Sequence, residues 1–132
     1  MMRHLIGAAT LAAALLAGPA VGSAQGAAGA KPDIGHGEGT FNDMCMSCHL
    51  KEGGGQGPTL VGVVGRASAA VPGVMYTKAL QDAHLTWTPQ KLDEFLTNPQ
   101  VAVPGTAMPM SVPDAKDRAD LIAYLASPAN KP

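Results

Sequence analysis

Two cysteines and a histidine stand within five consecutive residues, in the stretch Cys45-Met46-Ser47-Cys48-His49, and the chain has no other cysteine. This C-x-x-C-H spacing is that of covalent haem attachment, because two thiols about one helical turn apart can each add to a vinyl group of one porphyrin. The adjoining imidazole can then reach the iron as an axial ligand. The stretch therefore predicts one haem c, bound through Cys45 and Cys48 and ligated by His49.

Two other uses of a C-x-x-C pair remain open on these residues alone. A zinc half-site needs two further ligands, and the sequence has neither a second C-x-x-C nor an H-x-x-x-H. A redox dithiol of the thioredoxin type accompanies a β-α-β pattern, which this chain lacks. Haem attachment explains the residues better than either.

The first 24 residues have the composition of a secretory leader. Arg3 gives a positive start, residues 5–17 are almost purely apolar, and Gly22-Ser23-Ala24 offers small residues where a signal peptidase cuts. We predict a signal peptide at 1–24 and export to the periplasm. Ala28-Gly29-Ala30 is a second candidate cleavage point, and an uncleaved anchor is the alternative, although a membrane span needs about 20 residues.

The rest of the sequence predicts one small domain. Residues 25–34 are rich in Gly and Ala and are expected to be flexible, and residues 35–132 form the domain. A domain of about 100 residues buries only about two-thirds of its unfolded surface, so a haem would supply much of its core. Nine basic residues against ten acidic ones indicate neither nucleic acid nor a membrane surface as a partner. We expect a monomer that does not insert into a membrane once the leader is removed.

Three helices joined by long irregular stretches are predicted, and no segment alternates as a strand does. The first helix runs from about Gly35 to the haem motif. The second begins at Thr88-Pro89, a capping residue followed by a proline at the first helical position, and ends at Asn98-Pro99. The third follows Val112-Pro113-Asp114 and stops at Ser127-Pro128.

The third helix carries two opposite-charge pairs at i,i+4 spacing, Asp114 with Arg118 and Lys116 with Asp120. We expect both pairs on its solvent-exposed side. The opposite side is an apolar stripe of Leu121, Ile122 and Leu125.

From Gly37 to about Ala126 the chain resembles the class I cytochromes c, the soluble electron carriers of mitochondria and bacteria. The matching pieces occur in family order: Gly37-x-x-x-Phe41, the haem motif, Gly57-Pro58, Gly65-Arg66, Tyr76-Thr77, Thr86-Trp87, Asn98-Pro99, Pro104-Gly105-Thr106-Ala107-Met108 and residues 118–125. The resemblance implies an all-α class I cytochrome c fold, with three main helices and long loops around one covalently bound haem. It also implies an electron-transfer protein rather than an enzyme.

The resemblance implies a second axial ligand. The family places a methionine at the end of Pro-Gly-Thr-x-Met, which is Met108 here, on the iron face opposite His49. A neutral thioether stabilises ferrous iron and raises the reduction potential. Met110, two residues further on, is the alternative. The carbonyl of Pro58 is placed at the far nitrogen of His49, where it would fix the imidazole ring.

Further residues match positions that surround the haem in the family. Two partly buried propionates require hydrogen-bond donors, and the matching residues are Arg66, Tyr76, Trp87 and Thr106. The residues expected to wall the pocket are Leu92, Phe95 and Leu96. The residues expected where the first and last helices cross are Gly37, Phe41, Leu121 and Tyr124. His36 and His84 are expected to be exposed.

The charge pattern of the residues around Met108 departs from that of the mitochondrial sequences, which indicates a bacterial relative. Ala107 stands where the mitochondrial sequences carry a lysine, and Pro109-Met110-Ser111 follows without charge. Lysines around the haem edge steer the mitochondrial protein to acidic partners. We therefore expect docking that depends more on apolar contact and less on salt.

The function that follows is one-electron, outer-sphere transfer in a respiratory or photosynthetic chain. The expected donors are a quinol–cytochrome c reductase or a periplasmic dehydrogenase. The expected acceptors are a terminal oxidase or a photosynthetic centre. Two alternatives stay open, a dedicated cytochrome subunit of one periplasmic dehydrogenase, and a haem peroxidase or gas-binding sensor, which would need an open iron site.

Overall fold

The computed structural model describes residues 30–131, so the predicted signal peptide and residues 25–29 lie outside the described part. Five α-helices and one short 3-10 helix occur within residues 30–131: α1 Ile34–Met44, α2 Lys78–Asp82, α3 Pro89–Thr97, α4 Pro99–Ala102, α5 Ala115–Ala126 and the 3-10 helix Pro128–Asn130. In this range no helix combines the length and apolar character that crossing a membrane would need. The same range has no strand, only an isolated antiparallel bridge between Ala67 and Thr86.

The three long helices are those predicted from the sequence. The cap at Thr88 was predicted, whereas the cap at Asp114 was not. The hydroxyl of Thr88 accepts a hydrogen bond from Lys91 N at the start of α3. The carboxylate of Asp114 accepts from the backbone N–H groups of Lys116 and Asp117 at the start of α5. Such side-chain oxygens satisfy N–H groups that have no partner within the helix.

Helices α2 and α4 were not predicted. Both are about one turn long, too short for the apolar spacing that identifies a helix in sequence. Each nevertheless has a side-chain cap, because Thr77 accepts from Leu80 N and Asn98 accepts from Val101 N. Asn98 ends α3 and caps α4, and its own backbone is extended (φ −158°, ψ 98°), so one non-helical residue separates the two helices.

Helices α1 and α5 pack against each other and form the centre of the core. A Cβ atom on Gly37 would lie 2.0 Å from the carbonyl oxygen of Asp120, so only glycine allows the two backbones to come this close. The rings of Phe41 and Tyr124 pack one turn further on, with centroids 5.5 Å apart. Leu121, also expected at this crossing, is 1% exposed.

Lys116 and Asp120 form the predicted ion pair at 2.6 Å, but its predicted exposure is wrong for Asp120, whose side chain is 2% exposed. The close approach at Gly37 covers the Asp120 carboxylate. Its oxygens also accept hydrogen bonds from Asp33 N at 2.8 Å and from His36 Nδ1 at 2.9 Å. These donors hold the pKa of Asp120 down, to about 2.

The predicted pair between Asp114 and Arg118 is wrong. The Asp114 carboxylate is used as the cap of α5, and the Arg118 side chain turns to α3, where Nε donates to Asp93 at 2.8 Å. Arg118 Nη1 also donates to the carbonyl oxygens of Val112 and Pro113. A guanidinium with several donors thus joins three segments, which i,i+4 spacing does not indicate.

Candidate haem-binding site

A cavity of about 600 Å³ opens between the end of α1, the loops on either side of α2, and the inner faces of α3 and α5. All nine site residues predicted from the sequence line it: Cys45, Cys48, His49, Pro58, Arg66, Tyr76, Trp87, Thr106 and Met108. The alternative ligand Met110 lines it as well. The fold therefore brings to one place residues that are up to 63 positions apart in sequence (Cys45 to Met108).

The two cysteines and His49 are placed by one turn that continues from α1. Cys45 ends the helix, and its carbonyl oxygen accepts from Cys48 N at 3.1 Å and from His49 N at 2.9 Å. Both thiols are free, and both line the cavity. Burial, and to a lesser extent the neighbouring Cys48 thiol, raises the pKa of Cys45 to about 11. Cys45 is therefore a neutral thiol, the form whose S–H can add across a vinyl group.

His49 Nδ1 lies 2.7 Å from the carbonyl oxygen of Pro58. A carbonyl oxygen can only accept, so Nδ1 carries the proton and donates. The lone pair of Nε2 is then free to bind a metal, and the hydrogen bond fixes the ring orientation. The relationship implied for Pro58 and His49 is present in the structure.

Gly57 makes room for the His49 ring. A Cβ atom at this position would lie 2.4 Å from His49 Cε1 and 2.7 Å from Nδ1, inside contact distance for both atoms. The sequence marked Gly57 only as part of a matching Gly-Pro pair. Its role depends on a ring eight positions earlier in the chain, and no local pattern indicates that contact.

Met108 lies just after a turn, in a segment that is held by polar contacts. Thr106 N donates to Val103 O at 3.0 Å, and Met108 N approaches Thr106 Oγ1 at 3.4 Å. Gln100 Nε2 donates to Thr106 O at 2.8 Å and approaches Met108 O at 3.3 Å. Gln100 was not among the predicted site residues, because a glutamine one position after a helix-starting proline has no distinctive spacing.

Met108 and Met110 differ in their surroundings. Met108 is half-buried and packs against the hydrophobic core, whereas Met110 is 44% exposed. An axial ligand must face inward across the cavity. Burial therefore favours Met108 over Met110 as the partner of His49.

Arg66 is a partly buried cation at the cavity wall. Its Nη1 donates to Val61 O at 3.1 Å and its Nη2 to Thr59 O at 2.7 Å, and burial lowers its pKa. No carboxylate within residues 30–131 forms an ion pair with it. A guanidinium has five N–H donors and stays charged. The cavity thus offers an anionic group a cation that has no counter-ion among the described residues.

The other predicted propionate donors line the same cavity. The Tyr76 hydroxyl accepts from Val71 N at 3.2 Å, which leaves its own hydrogen to donate. Thr106 is buried, and Trp87 packs edge-on against Phe95 with centroids 5.0 Å apart. The predicted wall residues Leu92, Phe95 and Leu96 all line the cavity and are buried. Two thiols, an oriented imidazole, a thioether, apolar walls and an unpaired cation fit a haem with propionates.

Neither His36 nor His84, the other histidines within residues 30–131, lines this cavity. His84 is exposed and adopts a left-handed backbone with φ +47°. His36 is half-exposed and bonds to Asp120, so its expected exposure is accompanied by a structural contact. The axial imidazole available at the cavity is that of His49.

Most of the described part of the chain is similar to known proteins of one family. The family model described as Cytochrome c matches residues 34–128. Cytochrome c-type cyt cy of Rhodobacter capsulatus is 45% identical over 95 residues, which are 70% of this chain and 48% of that protein, so the match spans about half of its length. Cytochrome c2 of Rhodopila globiformis is 43% identical over 88 residues, 64% of this chain and 83% of that protein.

The fold has a similar counterpart among solved structures. Cytochrome cH from Methylobacterium extorquens superposes with a TM-score of 0.67 at 40% sequence identity. The match covers 70% of this chain and 96% of that one. It spans nearly the whole of the solved domain.

Proposed function

This chain belongs to the cytochrome c family, and we propose that it is a one-electron carrier that works outside the cytoplasm. The family binds haem c covalently, and the two thiols at the cavity are Cys45 and Cys48. When bound, the haem supplies a single iron that can take up and release one electron. The protein is an electron-transfer protein rather than an enzyme.

The observation that carries this proposal is the pairing of His49 and Met108 at one cavity. The hydrogen bond to Pro58 leaves His49 Nε2 free to bind iron, and half-buried Met108 supplies a thioether from a separate loop. Two protein ligands would fill both axial positions, which leaves none for a substrate or a gas. Because neither ligand would have to leave for an electron to move, the transfer would need little rearrangement of the protein.

The surrounding residues would hold these ligands, and the haem, in place. Pro58 orients His49, and Gln100 ties the backbone beside Met108. We assign Arg66, Tyr76, Trp87 and Thr106 to the propionates, supported by their place on the cavity wall and by the unpaired charge of Arg66. Low exposure of a charged or polar group next to a carboxylate strengthens the attraction between them.

We infer that the protein is exported by a signal peptide at 1–24 and acts in the periplasm as a monomer. The leader composition and the haem motif support this inference. The proposed donors are a quinol-oxidising complex or a periplasmic dehydrogenase. The proposed acceptors are a terminal oxidase or a photosynthetic centre.

A spectroelectrochemical titration of the purified holoprotein tests the proposal. We expect one reversible transition with the slope of a single electron, and no binding of carbon monoxide by the reduced protein at neutral pH. The Met108→Ala variant is the matched control, since it removes one ligand and is expected to bind carbon monoxide. Carbon monoxide binding by the unmodified protein would instead indicate an open iron site and a sensor or peroxidase.

A further inference from the structure

We propose that Asn130, which does not line the haem cavity, is a positioning residue for the axial imidazole of His49 and for the guanidinium of Arg66. It acts by holding the loop of residues 58–62, whose backbone carbonyls bond to both of those side chains. This inference rests on the proposed ligation of a haem by His49. It adds a residue that acts on the ligand from outside the site.

The side chain of Asn130 joins the 3-10 helix to this loop. Its amide Nδ2 donates to Leu60 O at 2.8 Å and to Leu125 O at 3.1 Å. Both partners are carbonyl oxygens, which only accept, so the amide nitrogen must face them. The backbone carbonyl of Asn130 in turn accepts from Gly62 N at 2.8 Å. Asn130 is 1% exposed, so the 58–62 loop is fastened to the end of α5 by buried hydrogen bonds.

Arg66 holds the same loop at the neighbouring carbonyls. Its guanidinium donates to Thr59 O at 2.7 Å and to Val61 O at 3.1 Å. Leu60, whose carbonyl bonds to Asn130, lies between these two residues in the chain. Three consecutive carbonyls are therefore held by two side chains, and the place of the guanidinium at the cavity wall depends on where Asn130 keeps the loop.

The loop also carries the hydrogen-bond acceptor of the axial imidazole. Pro58 O, two residues before Leu60, lies 2.7 Å from His49 Nδ1. Such a bond fixes the ring and makes the ligating nitrogen more basic. A loop released at Leu60 would weaken this bond and leave a less basic imidazole. A less basic ligand stabilises ferric iron less, so the reduction potential of the holoprotein would rise.

Ser127 offers a matched control in the turn that follows α5. Its buried hydroxyl donates to Tyr124 O at 2.7 Å, so Ser127→Ala also removes a buried bond from a side chain to a backbone carbonyl. This bond stays within its own turn and does not reach residues 58–62. Both Asn130→Ala and Ser127→Ala are expected to lower stability, because each removes a buried hydrogen bond. Only Asn130→Ala is expected to alter the surroundings of His49.

Exchange of the His49 Nδ1 proton with deuterium, followed by NMR in the ferrous holoprotein, measures the bond to Pro58 directly. We expect exchange about tenfold faster in Asn130→Ala and within about twofold of the unmodified rate in Ser127→Ala. Urea unfolding of each variant shows how much of any faster exchange comes from global unfolding.

The reduction potential is the second measurement. We expect a higher potential in Asn130→Ala, seen as a ratio of ferric to ferrous protein about threefold lower at a fixed applied potential. Ser127→Ala should leave this ratio unchanged. Asn130→Ser keeps a hydroxyl donor on a shorter side chain and is the milder variant. If Asn130→Ala gives too little holoprotein, both measurements are made on Asn130→Ser, with smaller changes expected in the same directions.

Two outcomes would overturn the positioning role and leave Asn130 with a purely structural one. The first is that the Asn130 variants match Ser127→Ala in proton exchange and in potential. The second is that their faster exchange is fully accounted for by their lower free energy of unfolding. Failure of the proposed haem ligation gives a different result, because the unmodified protein itself would then show neither haem-shifted NMR signals of His49 nor a reversible one-electron transition.

Discussion

The side-chain amide of Gln100 donates a hydrogen bond to the backbone carbonyl of Thr106 at 2.8 Å, and this contact joins α4 to the segment that carries Met108. The same nitrogen lies 3.3 Å from the carbonyl oxygen of Met108. A single glutamine therefore holds the backbone on both sides of residue 107. We infer that it positions the proposed thioether ligand.

Gln100→Ala is expected to weaken Met108 as a ligand. Loss of hydrogen bonds of this kind costs about 1–1.5 kcal/mol, or about a tenfold change in an equilibrium. Added imidazole, which competes with Met108 for the iron, should therefore bind about ten times more tightly to the ferric variant. Gln90→Ala, an exposed glutamine with no bond to the loop, is the control. An unchanged imidazole affinity in Gln100→Ala would contradict the positioning role.

Gly57→Ala is expected to displace the His49 ring, because its Cβ would lie 2.4 Å from His49 Cε1. We predict a low yield of holoprotein and an altered absorption spectrum in what is recovered. Pro58→Ala is the matched control, since it retains the carbonyl oxygen that accepts from His49. A Gly57→Ala protein with normal yield and spectrum would show that the ring is not confined at this position.

Gly37 and Gly39 lie two residues apart on α1, and we expect their substitution by alanine to change the free energy of unfolding in opposite directions. Gly37→Ala would force α1 away from the backbone of α5, and overpacking of this kind costs about 1–3 kcal/mol. A Cβ on Gly39 meets nothing within 4 Å, so Gly39→Ala should stabilise the helix by up to about 1 kcal/mol. Urea unfolding of both variants measures the free energies. Destabilisation by Gly39→Ala as well would contradict this account, because the loss of stability would then not come from the close contact that only Gly37 makes.

Asp120 is expected to make stability depend on acid pH. Its pKa is lowered from 3.8 to about 2, chiefly by the hydrogen bond from Lys116 and also by those from Asp33 N and His36. A carboxyl whose pKa is lower in the folded state stabilises the fold above its unfolded pKa, and this contribution is lost as pH falls through the folded value. The advantage of the unmodified protein over Asp120→Asn should be full above pH about 4 and should vanish near pH 2.

The measurement for Asp120 is the free energy of unfolding in urea at a series of pH values. Asp82→Asn is the control, because it removes an ion pair with Lys78 that is also 2.6 Å long but lies at the surface. Exposed pairs contribute about 0–1 kcal/mol, so this control should change stability little at any pH. A difference for Asp120→Asn that stays constant down to pH 2 would contradict the assignment.

Much of this site could be predicted because its chemically distinctive residues lie in short stretches of sequence. Cys45, Cys48 and His49 lie within five residues, and their spacing favours a haem. Thr88 with Pro89 fixes the start of α3 because capping acts within one turn. Met108 was predicted through the resemblance to the class I cytochromes c, which place a methionine at the end of the five-residue stretch that matches residues 104–108. Each of these predictions needed no knowledge of which segments meet in space.

The features that were missed or wrong depend on tertiary contacts. Gln100 and Gly57 act on residues that the fold brings beside them, and Arg118 turns to Asp93, 25 positions earlier. Asp120 is buried because Gly37 lets α1 approach α5, and i,i+4 spacing carries no such information. Local spacing thus predicts elements and ligands, whereas side-chain partners are decided by packing.

Ligation by His49 and Met108 is the central claim, and the far-red absorption spectrum of the ferric holoprotein tests it most directly. We predict a weak sulfur-to-iron charge-transfer band in the unmodified protein, its loss in Met108→Ala and its retention in Met110→Ala. A high-spin spectrum without that band in the unmodified protein would contradict the claim and indicate an open sixth position. Loss of the band in Met110→Ala, with retention in Met108→Ala, would show that Met110 and not Met108 is the ligand.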